Sequence, residues 1–175
     1  MKPRRVVITG LGGVTSLGWE IEDVWSKLLK GTSGVSRIER FDTEGFDVTF
    51  GGEIKGFDPT RWMSTREARH YDLFSQYGIA AADGCIQDSG VDFDAIDPYR
   101  AGVILGTGIG GISEFESQHS VLRDRGPSRV SPFLIPKMMA NSVSGLISIR
   151  HGLMGINYVG ASACASGSNA RGHRR

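Results

Sequence analysis

Three times along this chain a short, mainly apolar run stops abruptly in a cluster of glycines and other small residues. Arg5-Val-Val-Ile-Thr9 runs into Gly10-Leu-Gly-Gly13, Ala101–Leu105 into Gly106-Thr-Gly-Ile-Gly-Gly111, and Ile156-Asn-Tyr-Val159 into Gly160-Ala-Ser-Ala-Cys-Ala-Ser-Gly167. Runs of this length suit strands covered on both faces, as in a parallel sheet between helices. The small residues after each run suit sharp turns and close backbone approach. The 25 glycines lie between apolar runs rather than in one flexible tract, so they read as turns and packing points of a folded domain.

The intervening segments read as helices. Ile21, Val24, Trp25, Leu28 and Leu29 share one helical face, with Gly31 placed to end it in a left-handed conformation. Ser64-Thr-Arg-Glu67 has capping-box spacing and opens the longest predicted helix, whose face carries Tyr71, Phe74, Gly78, Ala82, Cys85 and Ile86 and which Gly90 closes. Ser131-Pro132 reads as a helix start that Pro136 interrupts, and a further helix is expected over Ala140 to His151 with Val143, Leu146 and Ile147 inward. Phe46 to Phe57 partly alternates and is expected to form a short hairpin, and His119 to Arg129 is the most loop-like stretch. Strands alternating with helices imply an α/β architecture around a mostly parallel sheet.

A formal net charge of +1 offers no field for nucleic acid or an acidic membrane. Two cysteines, Cys85 and Cys164, are too few for a disulfide framework and have no zinc spacing, which fits a reducing cytoplasm. The basic start leads into only Val6-Val-Ile8, far short of a signal segment, and no run approaches a membrane span.

Cys164 is the strongest candidate for chemistry. A buried strand feeding a cysteine flanked by alanines has the build of a turn that presents a nucleophile at the end of a sheet. A helix starting there would favour the thiolate and aim N–H groups at an oxyanion. Spacing alone serves a structural cysteine equally well. Gly106-Thr-Gly-Ile-Gly-Gly111 satisfies a dinucleotide-binding pattern, but no clear helix is expected to follow at once, and Glu114, Glu116 and Asp124 do not end a second strand where a ribose carboxylate belongs. A turn that shapes the backbone or lines a pocket is the better reading. His70, His119, His151 and His173 occupy ordinary positions, and Cys85 falls on an apolar helix face as a core residue.

Taken in order, Arg4-Arg-Val-Val-Ile-Thr-Gly10, Phe41-Asp42, Asp72-Leu-Phe-Ser-Gln-Tyr-Gly78, Gly106–Gly111, Ser131-Pro-Phe-Leu-Ile-Pro136 and Ala163-Cys-Ala-Ser-Gly167 resemble the β-ketoacyl-acyl carrier protein synthases of the thiolase superfamily, most closely the elongating type. The resemblance implies a thiolase-like fold of two similar α/β halves, with residues 1–175 a truncated N-terminal domain forming most of the first. It implies that Cys164 takes an acyl group from an acyl carrier protein phosphopantetheine or from coenzyme A, and condenses it with malonyl-carrier protein after decarboxylation. Ile109 matches the glycine loop of the acyl pocket, and Phe133 matches a residue that reaches the partner subunit's pocket of a homodimer. No metal or dissociable cofactor is implied.

The tail departs from that pattern. Ser168-Asn-Ala-Arg171-Gly-His-Arg-Arg175 stands where the family continues a buried helix, with Arg171 at an apolar position. The two catalytic histidines, a supporting lysine, the second oxyanion donor and the subunit-pairing strand would lie beyond Arg175, and none of the four histidines present can be matched to them. A non-catalytic, binding-only chain and a polyketide ketosynthase or thiolase-like enzyme are the competing readings. Alone, the chain is expected to leave Val6, Val7, Ile8, Val103 and Ile104 partly open to water and to aggregate.

Overall fold

The computed structural model describes residues 5–172. Their helices and strands run α1 (Ile21–Leu29), β1 (Ser36–Arg37), β2 (Phe50–Gly51), α2 (Thr65–His70), α3 (Leu73–Ser89), β3 (Val103–Gly106), α4 (Ile112–Arg125), α5 (Leu134–Met138), α6 (Ser142–His151), β4 (Asn157–Gly160) and α7 (Ser166–Gly172), with short 3-10 turns between them. The contacts divide the chain into two units, Met1–Asp58 with Ala80–Val91, and Pro59–Ile79 with Asp92–Arg175. Among the described residues no helix is long and apolar enough to cross a membrane.

In the first unit, α1 ends as its sequence requires. Gly31 takes φ +67°, its N–H donates to Leu28 O, and the Thr32 N–H reaches Lys27 O, which together form a Schellman cap. Trp25, Leu28 and Leu29 on its apolar face nevertheless stay exposed. The expected strand Arg5–Thr9 joins no ladder among the described residues, and Val6, Val7 and Ile8 are open to solvent. β-branched residues favour extended chain, but only a neighbouring strand supplies hydrogen-bond partners, and the strands of this unit are two residues long and pair with each other. The expected hairpin within 46–57 is likewise replaced: Phe50 pairs with Arg37 and Gly51 with Ser36, so the return strand is drawn from upstream. Gly10 and Gly12 serve close approach, since a Cβ there would lie 2.4 Å from Cys85 O and 2.0 Å from Ala81 O. Cys85 donates its thiol proton to Gly10 O at 3.3 Å and is a half-buried packing residue.

The second unit holds most of the core. β3 and β4 pair in parallel, Val103 against Asn157 through Gly106 against Gly160, and their connection carries α4, α5 and α6, as a parallel crossover requires. Ile79 is 1% exposed, with Val143 and Ile147 of α6 and Val103 of β3 also buried. The expected exposure of Val103 is thus not found, while Ile104 is half-buried. Gly78 lets α3 meet α6, because a Cβ there would stand 2.5 Å from Val143 Cγ2. Asn157 ties β4 to α6, accepting the Ser144 hydroxyl at 2.8 Å and donating to Ser144 O at 2.9 Å and Ser148 Oγ at 2.6 Å.

The single helix expected from Ser64 to Ser89 is two. Tyr71 is extended (φ −112°, ψ 136°), and the Asp72 carboxylate accepts the Phe74 N–H at 3.0 Å to start α3 afresh. The buried Gln76 side chain then donates to Ala68 O and Tyr71 O, both at 2.9 Å, satisfying carbonyls that the break leaves unpaired. Pro136 does not interrupt a helix: α5 starts at Leu134, so the proline occupies its first turn, where a missing N–H costs nothing. α6 begins at Ser142, two residues later than expected, and Gly152 ends it at φ +65°. The stretch expected to be a loop from His119 is helical to Arg125. Leu122, Arg123 and Arg125 favour helix, and Gly126 at φ +83° followed by Pro127 stops it.

The capping box forms as spaced. Glu67 N–H donates to Ser64 Oγ at 3.2 Å, while the Ser64 N–H and hydroxyl both reach Glu67 Oε2 at 2.7 Å. The Ser64 hydroxyl, then its N–H, hold the Glu67 carboxyl below its ordinary value. A lowered folded-state value means stability present above the unfolded pKa and lost as pH falls through the folded one. Glu67→Gln should therefore flatten the fall of the thermal midpoint on acidification; an unchanged acid limb would exclude the box as its source.

Candidate functional site

Two loops leave the same end of the parallel pair. Past Gly106 and Gly160 the ladder extends by one bond, Thr107 N–H to Gly160 O at 3.2 Å, so the glycine loop and the cysteine turn depart side by side. The carboxyl ends of parallel strands are where α/β sheets place ligands.

The turn itself is strained. Ser162 (φ −146°, ψ 46°) leads into Ala163 at φ +48°, the non-glycine residue with positive φ among those described. The left-handed region costs an L-residue roughly 1–2 kcal/mol, and such strain collects where a side chain must be presented in an unusual direction. Here it directly precedes Cys164, which lies in the 3-10 turn Ala163–Ala165 and is exposed. Ser162 is gripped on its C-terminal side: Ala165 N–H donates to its carbonyl at 3.1 Å, and Asn169 Nδ2 to its hydroxyl at 2.7 Å. The helix that would favour the thiolate begins not at the cysteine but two residues later, at Ser166. That helix docks on β3 through Gly106, where a Cβ would lie 2.1 Å from Ser166 O.

The glycine loop holds Ile109 outward, 68% exposed. Contrary to expectation a helix does follow it at once, so the strand, loop and helix of a dinucleotide site are all present. The glycines have another use, however. A Cβ at Gly111 would meet Lys137 O at 2.4 Å, and one at Gly110 would meet Met138 O at 2.8 Å, so they admit the backbone of α5. The Gly111 and Ile112 N–H groups are already given to Met138 O and Gly110 O. Glu114 is engaged by Lys137 at 2.9 Å in a largely buried pair that fastens α4 to α5. The Gly111 and Ile112 amides and the Glu114 carboxylate are thus engaged within the protein.

Phe133 lies elsewhere. It precedes α5 and stacks on His70, ring centroids 4.1 Å apart, at one wall of an open apolar cavity of about 590 Å³ that Ile135, Met139, Leu146 and Ile149 also line. Cys164 and Ile109 line no part of that cavity. The other described histidines have aromatic neighbours too, His119 beside Phe115 and His151 beside Phe93, none of them in the cysteine turn; His173 lies outside the described residues. Arg171 lies on the exposed α7 beside a cleft lined by Ile104 and Leu105, so the helix after the cysteine forms but only Ser166 in it is buried. Among the described residues no cluster of His, Cys, Asp or Glu is placed to hold a metal ion. The strain at Ala163 and the Glu114–Lys137 pair were not foreseen; the small residues flanking Cys164 were the available signal for the first, and nothing local announced the second.

The family model described as the β-ketoacyl synthase N-terminal domain matches residues 3–174. The 3-oxoacyl-[acyl-carrier-protein] synthase 2 of Vibrio cholerae is 43% identical over 173 residues, covering 99% of this chain and 42% of the relative. That of Synechocystis sp. is 42% identical over 172 residues, covering 98% and 41%. The chain thus spans about two-fifths of the length of these relatives. Among solved structures, a β-ketoacyl synthase from Burkholderia phymatum superposes with TM-score 0.80 at 27% identity, covering 98% of this chain and 42% of that one. A type II PKS acyl-carrier protein in complex with its ketosynthase bound to the hexaketide gives TM-score 0.81 at 26% identity, covering 98% and 45%.

Proposed function

The chain belongs to the β-ketoacyl synthase family, with the α/β architecture of a thiolase-like half, and on that premise we propose that Cys164 is the acyl acceptor of a condensing enzyme of fatty acid elongation. The observation that carries the reading is an exposed cysteine directly after a strained residue, at the carboxyl end of a parallel strand pair. In the proposed reaction the Cys164 thiolate attacks the carbonyl of an acyl thioester on a carrier protein, and the carrier's phosphopantetheine thiol leaves. Malonyl-carrier protein then loses carbon dioxide, its carbanion attacks the acyl-cysteine carbonyl, and the C–S bond to Cys164 breaks to release a β-ketoacyl-carrier protein. Residues beyond this chain would bind the malonyl group. Ile109, exposed on the neighbouring loop, is proposed to border the acyl chain. Phe133 is proposed to act on a second copy, which its place in a cavity that neither Cys164 nor Ile109 lines supports. The reading places the protein in the cytoplasm, where both thiols stay reduced.

Identity of 42–43% to 3-oxoacyl synthases, against 26% to the polyketide ketosynthase, supports fatty acid elongation over the polyketide reading. The test is to incubate the folded chain with an acyl-carrier protein thioester and locate the added mass on its peptides. The acyl group is expected on Cys164, none on half-buried Cys85, and none anywhere in Cys164→Ala. Acylation of Cys85, or of neither cysteine in a sample that melts cooperatively, would rule the assignment out.

A further inference from the structure

Ser166 is the buried residue of α7, 3% exposed, and its hydroxyl reaches back around the cysteine turn. The oxygen accepts the Ser162 N–H at 2.8 Å; its proton has Ala163 O at 2.7 Å and Thr107 O at 3.3 Å within reach. A hydroxyl has one proton to give, so the shorter bond to Ala163 O prevails. One oxygen atom therefore bridges the peptide before Ser162 and the peptide after Ala163, closing a ring over the two residues whose backbone is most unusual. The second of those peptides also carries the Cys164 N–H. Pinning Ala163 O fixes that plane, and with it the direction of the Cys164 N–H and the position of the Cys164 Cα. A buried serine at a helix start needs one carbonyl to be satisfied; accepting a bond from the far side of the strained residue as well is more than that requires.

We propose that Ser166 is a positioning residue of the acyl-acceptor site, its hydroxyl holding the Ser162–Ala163 link so that Cys164 and its N–H meet an acyl carbonyl together. This rests on the reading of Cys164 as acyl acceptor. Thr107 O, one residue past β3, lies 3.3 Å from the same oxygen, so the hydroxyl sits against the start of the loop that carries Ile109.

The test compares the wild-type chain with Ser166→Ala, which removes only the oxygen, and Ser166→Thr, which keeps it. Single-turnover acylation of Cys164 by an acyl-carrier protein thioester is followed beside alkylation by iodoacetamide, which has no carbonyl needing that N–H. In Ser166→Ala the maximal acylation rate is expected to fall roughly tenfold or more, with half-saturating thioester unchanged and alkylation altered less than twofold; Ser166→Thr should restore most of the rate. Acylation in Ser166→Ala within twofold of wild type overturns the assignment and leaves the acyl-acceptor reading standing. Parallel loss of acylation and alkylation, or loss of cooperative melting, makes the residue structural and also overturns it. A wild-type chain that takes up no acyl group overturns both.

Discussion

Gly106→Ala is expected to lower the thermal midpoint of the chain by roughly 6–12 °C, and Gly108→Ala, two residues along the same loop, by less than about 2 °C. A Cβ at Gly106 would lie 2.1 Å from Ser166 O and 2.2 Å from Ser166 C, both backbone atoms of α7 that no rotamer change can move aside. Either β3 or α7 must shift, which places the cost at about 3 kcal/mol or more, the upper end of overpacking. At Gly108 nothing stands within 4 Å. Because α7 begins two residues after Cys164, the first variant should also lose acyl uptake at Cys164 while the second keeps it. Equal midpoints in a pair of differential scanning calorimetry traces would show that α7 does not rest on β3 as described.

A polypeptide of these 175 residues is expected to show no decarboxylative condensation, at least about 10⁴-fold below a full-length synthase assayed beside it, even where it takes up an acyl group. Acyl transfer to Cys164 asks for a thiolate and an oriented carbonyl. The proposed condensation asks in addition for groups that bind the malonyl carboxylate and stabilise the carbanion. A positioned acid or base contributes on the order of 10²–10⁴ and an oxyanion donor on the order of 10²–10³, and groups that act as a unit fail as a unit. His70, His119 and His151 are packed against the rings of Phe133, Phe115 and Phe93 and none belongs to the cysteine turn, so among the described residues no histidine is placed as a substitute. The check is release of labelled carbon dioxide from malonyl-carrier protein with acylated chain; turnover near that of a full-length enzyme would overthrow the division of labour proposed between the two parts.

What could be read from residue order was whatever depends on neighbours along the chain. The Schellman end of α1 needs only Gly31 after Leu29, and the capping box needs only Ser64 and Glu67 three apart, so both form where the spacing places them. The β3 and β4 runs and the cysteine turn after β4 were legible for the same reason, and the ordered segments shared with β-ketoacyl synthases were enough to identify the family that the match over residues 3–174 shows. Tertiary structure decided everything that needs a distant partner. The run at Arg5–Thr9 has the residues of a strand, yet pairing is a property of two segments, and none of the described residues pairs with it. The break at Tyr71 holds because the buried Gln76 spends both its donors on the carbonyls of the preceding turn. The glycine loop's pattern already favoured a backbone-shaping turn over a nucleotide site, but which backbone it admits needed the tertiary structure: Lys137 O and Met138 O approach Gly111 and Gly110. The positive φ of Ala163 and the Ser166 hydroxyl that spans it occur where α7 lies against Gly106, sixty residues away in sequence and a Cβ's width away in space.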